Sequence, residues 1–540
     1  METLLYQPAT NRSADAMHMG WMYPAPGNVA LSSLGYLSLF RQLDERADVK
    51  PVRINSDNIA QFKASDFELI GISFAFELDI LEILKQFEEL GMPLLQSERK
   101  DSNFPLIFAG GPVPTTNPEP YADFFDFFII GDGEDSLGNI ISAWQAIRDK
   151  NLSRTDQLLY LAQHVPGLYA PSLYEVAYDG PQGGIKSIAP KYAQAPKRID
   201  RQSANFGEHT VVTTPILSSD TVFADKFLIE VMRGCAHRCR FCLASYSTLP
   251  AKGPQLGALH QAIETGLKHT NKLGLLGALV ADHPDFESVC EHLLSKSDIH
   301  VSMASLRADT ITPLIAKTVK HTNQNSVTLA IESGSERIRK RINKHLKTES
   351  IFNAAETLSH EGVKGLKLYF ITGLPGETDD DVDASTQLIL DLKKAHPKLK
   401  VSVGCSTFVP KAQTPFQWMS RESTKILSDR QEQFRKGIIR YAEFRPSSAK
   451  WDSFQALLSR GDRRLAPFIM AFREQGGNLG AVNRTLKALK QQHGGALPFP
   501  DVDWYANRER GCEEILPWDL LHLGVSKDNL YKEGQVNAPH

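Results

Sequence analysis

Cysteine is scarce in this chain, with six among 540 residues. A disulfide-stapled secreted scaffold would need a denser and more even supply, so that class is excluded. Long apolar runs are absent as well: no stretch approaches the roughly twenty residues a membrane-spanning helix requires. The first twenty residues hold no apolar signal core, so a cytoplasmic location without a membrane partner is expected. Charge of one sign is not in excess either. A net charge of −3 and a pI near 6.6 give no whole-molecule attraction to nucleic acid or acidic lipid, so a nucleic-acid partner is not expected. The basic run at 337–347 (RIRKRINKHLK) leaves a local RNA contact open, but reads first as a solvated helix face. There is no internal repeat and no G-x-G-x-x-G opening a helix after the first strand, which argues against a nicotinamide dinucleotide site.

What is present is an ordinary globular composition, 42% hydrophobic and 23% charged, in a chain too long for one core. Such a length predicts about two to four domains. The first 165 residues alternate short apolar runs with amphipathic helical patterns. Strands are expected at 50–54, 67–74, 106–109 and 125–130, and helices at 33–44 and 78–90. Two of these strands end in glycine turns, Gly110-Gly111-Pro112 and Gly131-Asp132-Gly133-Glu134. Strands alternating with helices predict an open, doubly wound α/β sheet, in which ligands bind at the carboxyl ends of the strands. Residues 166–222 read as a Pro/Ser/Gly-rich linker, with a hairpin around 174–188. A second series has strands at 228–232, 272–279, 300–303, 326–331, 365–371 and 401–408, which fits a partial (β/α)6 barrel over 223–420. Residues 421–540 read as a C-terminal extension, helical and then loop-rich.

Three of the six cysteines fall within eight positions: Cys235, Cys239 and Cys242, directly after a predicted strand. Soft thiolates suit zinc or an iron–sulfur cluster. A closed zinc site needs a fourth ligand, and His237 is badly placed to be one. Three thiolates on a [4Fe–4S] cluster leave one iron open to a cofactor. Arg233, Arg238 and Arg240 surround the cysteines, and their charge would offset that of the thiolates. Of the remaining cysteines, Cys290 and Cys512 read as plain free thiols. Cys405 lies on the last barrel strand, where a thiol could quench a substrate radical. The segment 305–309 (SLRAD) sits at a strand end, as a helix cap or as a substrate contact.

The run CAHRCRFC at 235–242 resembles the C-x-x-x-C-x-aromatic-C signature of the radical S-adenosylmethionine (SAM) superfamily. The resemblance implies an enzyme in which SAM occupies the open iron and is cleaved reductively to a 5′-deoxyadenosyl radical. Phe241 matches the aromatic residue beside the adenine. Glu332, Ser333 and Ser335 (ESGSER) and Gly373 and Gly376 (GLPGET) resemble the superfamily's SAM-binding turns. The backbone N–H groups and hydroxyls of the first could hold the ribose or carboxylate. The first domain resembles the cobalamin-binding fold that precedes the barrel in many such enzymes, with Gly110, Gly111, Gly131 and Gly133 at the ligand edge. No Asp-x-His-x-x-Gly motif supplies a cobalt ligand, and a related fold holding no cofactor is the competing reading. Longer segments, among them ELIGISFAFELDILEIL and ILPWDLLHLGVSKDNLYKE, resemble an uncharacterised bacterial radical SAM family of this architecture. The chain departs from it after the cysteines, at Ala244-Ser245-Tyr246 and Ser247-Thr248-Leu249-Pro250, which puts the family's contacts in that loop in doubt. The leading expectation is a radical SAM enzyme with a [4Fe–4S] cluster, SAM and cobalamin, acting as a methyltransferase and fed by a reductant such as flavodoxin or ferredoxin. The alternatives are methylthiolation of tRNA or protein, against which no cysteine precedes Cys235, and a non-catalytic Fe–S or corrinoid carrier or sensor.

Overall fold

The computed structural model describes residues 2–99, 104–204 and 211–536. Strands β1 (Met17–Met22), β2 (Val49–Ile54), β3 (Leu69–Ser73), β4 (Leu106–Gly110), β5 (Phe127–Ile129) and β6 (Leu168–Tyr169) form one sheet in the order β2-β1-β3-β4-β5-β6. Every pair is parallel except β5–β6. The chain runs from β1 outward to β2, then crosses back to β3 on the other side. That reversal creates a switch point, where a crevice opens at the strands' carboxyl ends. Helices cover both faces, so β3 and β4 are buried almost end to end and read as continuous apolar runs. Helix α1 (Leu34–Asp44) and helix α2 (Ile80–Glu89) cover the sheet, and α2 turns Ile80, Ile83, Leu84 and Phe87 inward at helical spacing. Pro51 is tolerated because β2 is an edge strand.

Strand β1 was not expected, although it lies inside the sheet. Its sequence, MHMGWM, has no β-branched residue, and its strand character comes from burial of Met17, Met19, Trp21 and Met22 between two neighbours. The 166–222 segment contains the expected hairpin, Tyr174–Tyr178 with Ile185–Pro190. It is also tied down at Ile199–Asp200 by a parallel pairing with Leu521–His522.

The second series gives β7 (Phe227–Met232), β8 (Lys272–Gly277) and β9 (His300–Met303) in one parallel sheet. Strands β10 (Ser326–Glu332), β11 (Gly365–Thr372), β12 (Lys400–Thr407) and β13 (Glu443–Pro446) form a second. A parallel bridge between Leu306 and Leu329 joins the two into one barrel wall. The first six strands are those expected. The seventh, β13, extends the wall past residue 420. The later helices do not stand apart either: Phe454, Leu457, Phe468 and Phe472 join the core of the N-terminal sheet.

Alternation along β11 and β12 separates the two faces of the wall. Phe370 packs on Phe434 of the covering helix, with ring centroids 5.1 Å apart, whereas Lys367 and Tyr369 project into the lumen. The N-terminal sheet is held by a buried cation–carboxylate lock. Asp126, fully buried, receives Arg154 at 2.7 and 2.8 Å and the Ile107 N–H at 2.8 Å, with Arg99 3.9 Å away. Asp126→Ala strands two buried arginines. It should cost roughly 3–5 kcal/mol and lower the first thermal transition, while an unchanged transition would show that the lock carries no stability.

Candidate cluster and cofactor site

The cysteine loop leaves β7 at Met232 and turns at Gly234, whose φ of 81° is left-handed and whose hydrogen faces the Thr248 carbonyl; a Cβ there would lie 2.6 Å from that oxygen. The two ends of the 234–248 loop therefore touch. Cys239 is buried, and Cys235 and Cys242 are half-buried. The Cys242 N–H closes a tight turn on the Cys239 carbonyl at 2.9 Å. Burial pushes the Cys239 thiol up to about 12; Lys344 opposes this, and Cys242 and Cys235 reinforce it. Burial also raises the Cys242 thiol. The three thiols thus converge closely enough to feel one another, and a metal group binding them would displace their protons. Among the described residues no three His, Cys, Asp or Glu side chains could share a single ion. That donor set fits a cluster, whose irons each take one thiolate, better than a lone zinc.

Of the three arginines expected around the thiols, Arg240 feels Cys239, and each of the three is also paired elsewhere. Arg233 pairs with Glu230 at 2.8 Å, Glu134 at 2.7 Å and Asp132 at 3.3 Å. Arg238 pairs with Glu533, and Arg240 donates to the Arg341 carbonyl. His237 is turned to Asp282 at 2.8 Å. The cation beside Cys239 is Lys344, buried and 3.0 Å from Glu332. Arg307 holds the Lys344 carbonyl at 3.0 Å and pairs with Asp309, which makes the 305–309 segment a support of the site. Lys344 belongs to the basic run read as a solvated face. That reading is overturned for three residues: Arg339, Arg341 and Lys344 are buried, with Arg339 bonded to the Ser333 and Leu346 carbonyls, while Arg337, Lys340, His345 and Lys347 are exposed as expected.

Glu332 ends β10 with a φ of 70° at a register shift. The N–H groups that follow are already used: Gly334 donates to Ser385 Oγ at 2.8 Å, and Ser335 to Ser333 Oγ at 3.2 Å. The expectation that these backbone donors hold a ligand is therefore corrected. At the end of β11, Gly373 takes φ 80° and Gly376 φ 86°. The turn closes on Glu377, whose Oε2 accepts from the Gly373 N–H at 2.5 Å and the Thr372 hydroxyl at 3.0 Å. Phe241 and Ile371 both pack against a small apolar cluster that contains Leu374, so the cysteine loop and this turn share one apolar cluster. Cys405 is not with them. It is the register partner of Phe370 and shares that residue's helix-facing side, where burial raises its thiol pKa far above the ordinary value. The expected radical-quenching thiol has no path to the lumen.

The glycine turns of the N-terminal sheet line a cavity of about 490 Å³ together with Met232, Gly277, Ser247 and Thr248. The cavity thus lies between the carboxyl ends of the two parallel systems. Only Gly110 of the four expected glycines opens onto free space. A Cβ on Gly111 would fall 2.7 Å from the Phe74 carbonyl, on Gly131 2.1 Å from the Gln202 carbonyl, and on Gly133 2.8 Å from Leu39. A side chain at those three positions would meet the chain's own atoms, and all four glycines line the cavity. No histidine lines the cavity.

Residues 229–389 match the family described as the radical SAM superfamily, and residues 53–171 match radical SAM proteins, N-terminal. The chain belongs to the radical SAM superfamily. This radical SAM enzyme works with a [4Fe–4S] cluster, SAM and a reductant. It is 28% identical over 457 residues to an uncharacterized protein of Methanocaldococcus jannaschii, covering 83% of this chain and 89% of that one. It is 24% identical over 300 residues to the tRNA-2-methylthio-N(6)-dimethylallyladenosine synthase of Chlorobium phaeobacteroides, covering 52% and 65% of the two chains. Among solved structures, the radical SAM methyltransferase TsrM of Kitasatospora setae, with cobalamin and a [4Fe–4S] cluster bound, superimposes at TM-score 0.50 and 11% identity. That match covers 89% of this chain and 100% of TsrM, and shows a shared fold. Among the described residues no helix is long and apolar enough to cross a membrane.

Burial raises Glu377 to about 7, against the lowering pull of the Gly373 N–H and the Thr372 hydroxyl. A carboxyl whose pKa rises on folding binds more protons in the native state. Its contribution is complete below the ordinary value of 4.5 and is lost as pH climbs through about 7. The thermal midpoint of the wild type should therefore fall more steeply between about pH 5 and pH 8 than that of Glu377→Gln. Parallel profiles would exclude Glu377 as a titrating element of the turn.

Proposed function

We propose that this radical SAM enzyme is a corrinoid-dependent methyltransferase, with its cluster on Cys235, Cys239 and Cys242 and its corrinoid in the cavity beneath Gly110. The observation that carries the reading is the position of the cavity, walled on one side by the sheet's carboxyl edge and on the other by the loop that follows the cysteines. The TsrM structure, with cobalamin and a cluster bound in the same fold, is consistent with it. The methylthiotransferase alternative has less support, because all six cysteines lie at or after position 235.

A cluster bound there supplies the electron for reductive cleavage of SAM, and a corrinoid would carry the methyl group. The chain's own residues provide position and exclude water. Phe241 would offer an apolar face against an adenine ring, backed by the apolar cluster that includes Leu374. Gly373 and Gly376 keep the neighbouring turn narrow. The Ser333 and Ser335 hydroxyls and the Lys344 ammonium, steadied by Glu332 at 3.0 Å, are the polar groups after β10 that would serve the ribose and carboxylate. In this reading the N-terminal sheet faces a barrel wall that runs from β7 to β13, and later helices pack into the N-terminal core. The reductant is a flavodoxin or ferredoxin, and the setting is the cytoplasm.

Two measurements test this. Anaerobically reconstituted protein should hold one [4Fe–4S] cluster and, with a strong reductant, release 5′-deoxyadenosine from SAM. Replacing the three cysteines with Ala should abolish both, and retention of the iron and its visible absorbance would refute the ligand assignment. Protein produced with ample cobalamin should carry stoichiometric cobalt. Gly110→Val, which projects into the open cavity, should cut cobalt roughly ten-fold with iron unchanged. Absence of cobalt in the wild type would leave a cobalamin-free radical SAM enzyme.

A further inference from the structure

The cysteine loop is gripped from outside by the last helix of the chain, α3 (Lys527–Gln535). Glu533 on that helix pairs with Arg238, the residue between Cys235 and Cys239 that takes a left-handed φ of 53°. Its other oxygen accepts from the buried Tyr246 hydroxyl at 2.7 Å, and the Arg238 carbonyl, 3.0 Å from the same hydroxyl, shares its single proton. Glu533 therefore holds the loop at two points, between the first two cysteines and after the third. The helix cannot drift. Gly534 lies so close to Pro415 that a Cβ would sit 2.4 Å from its carbonyl oxygen, and Arg341 clamps the Gly534 and Val536 carbonyls at 2.7 and 2.9 Å. The Pro415–Trp418 turn beneath the helix holds the loop as well, through the Phe416 N–H on the Arg240 carbonyl at 3.1 Å. Asn343 completes the grip by donating to the His237 and Arg238 carbonyls at 3.1 and 2.9 Å.

A left-handed, non-glycine residue between two ligands is strained and persists only where its surroundings over-determine it. Here the over-determining contacts are Asn343 on the Arg238 carbonyl and, from a segment almost three hundred residues away, Glu533 on the guanidinium. We propose that Glu533 is a positioning residue of the cluster site: by fixing Arg238 and Tyr246 together, it sets the spacing of Cys235, Cys239 and Cys242. This rests on the reading of those cysteines as cluster ligands. It gives the C-terminal segment a role in iron–sulfur chemistry through a residue that touches neither iron nor SAM.

The test compares full-length wild type, Glu533→Gln, Glu533→Ala and Tyr246→Phe in three readouts, after a thermal scan confirms that each is folded. In cluster-free protein, iodoacetamide labelling of Cys239 should be roughly ten-fold faster in both Glu533 variants, the scale of one charge-assisted hydrogen bond lost from a closed loop. In reconstituted protein, loss of iron to a chelator should accelerate to a similar degree, and the electron paramagnetic resonance signal of the reduced cluster should broaden. Tyr246→Phe, which keeps the ion pair, should fall in between. If Glu533→Ala does not fold, Glu533→Gln and Tyr246→Phe decide. Folded variants that match the wild type in labelling and iron retention would overturn the role of Glu533 alone. A wild type that takes up no cluster would overturn the reading of the site itself.

Discussion

Arg233 stands one residue before the glycine that opens the cysteine loop, with one carboxylate from its own strand and two from the opposite sheet around it. Its side chain is only 17% exposed, so the pairing with Asp132 and Glu134 is made largely out of water. Desolvation opposes a charge there, and the surrounding carboxylates more than offset it, which holds the guanidinium firmly ionised. A cation so placed fixes the carboxyl edge of the N-terminal sheet against the first strand of the barrel. Lys252, 3.2 Å from Asp132, extends the same network. Without this join the two carboxyl edges would not share a cavity, and the glycine turns and the cysteine loop would be separate features of separate domains.

A second clasp closes the far side. Glu77, from the loop after β3, pairs with Lys411 beyond the end of β12 and accepts from Ser459 and Gln455. Burial disfavours its charge, yet Lys411 and those two donors hold its carboxyl below the ordinary value. The N-terminal domain is thus fixed at two points across the barrel mouth. The surfaces proposed to bear the cofactors meet in the gap between them.

How much of this was legible in the sequence depends on how local the cause is. The cysteine loop, the glycine turns and six barrel strands are written in residues close together, and each was readable from spacing and period. Strand β1 was not, because Met and Trp become strand residues only when β2 and β3 flank them. Strand β13 was missed because four residues containing a proline carry almost no period. Arg339, Arg341 and Lys344 illustrate the same limit in electrostatics. A basic run announces charge but not where the charge goes, and these residues are spent on carbonyls and one carboxylate inside the protein. Cys405 was placed on the right strand and the wrong face, a one-residue distinction that only the register with Phe370 settles. Gly111 and Gly131 were correctly marked as special, but the close neighbours that require glycine there are the backbone carbonyls of Phe74 and Gln202.

In the proposed arrangement, cluster and corrinoid face one another across the cavity beside Arg233. X-ray data collected at the iron and cobalt absorption edges from anaerobic crystals of the fully loaded enzyme test it most directly. The account predicts iron anomalous density bounded by Cys235, Cys239 and Cys242, and cobalt density in the cavity beneath Gly110. Iron density elsewhere, or cobalt density outside that cavity, would contradict it.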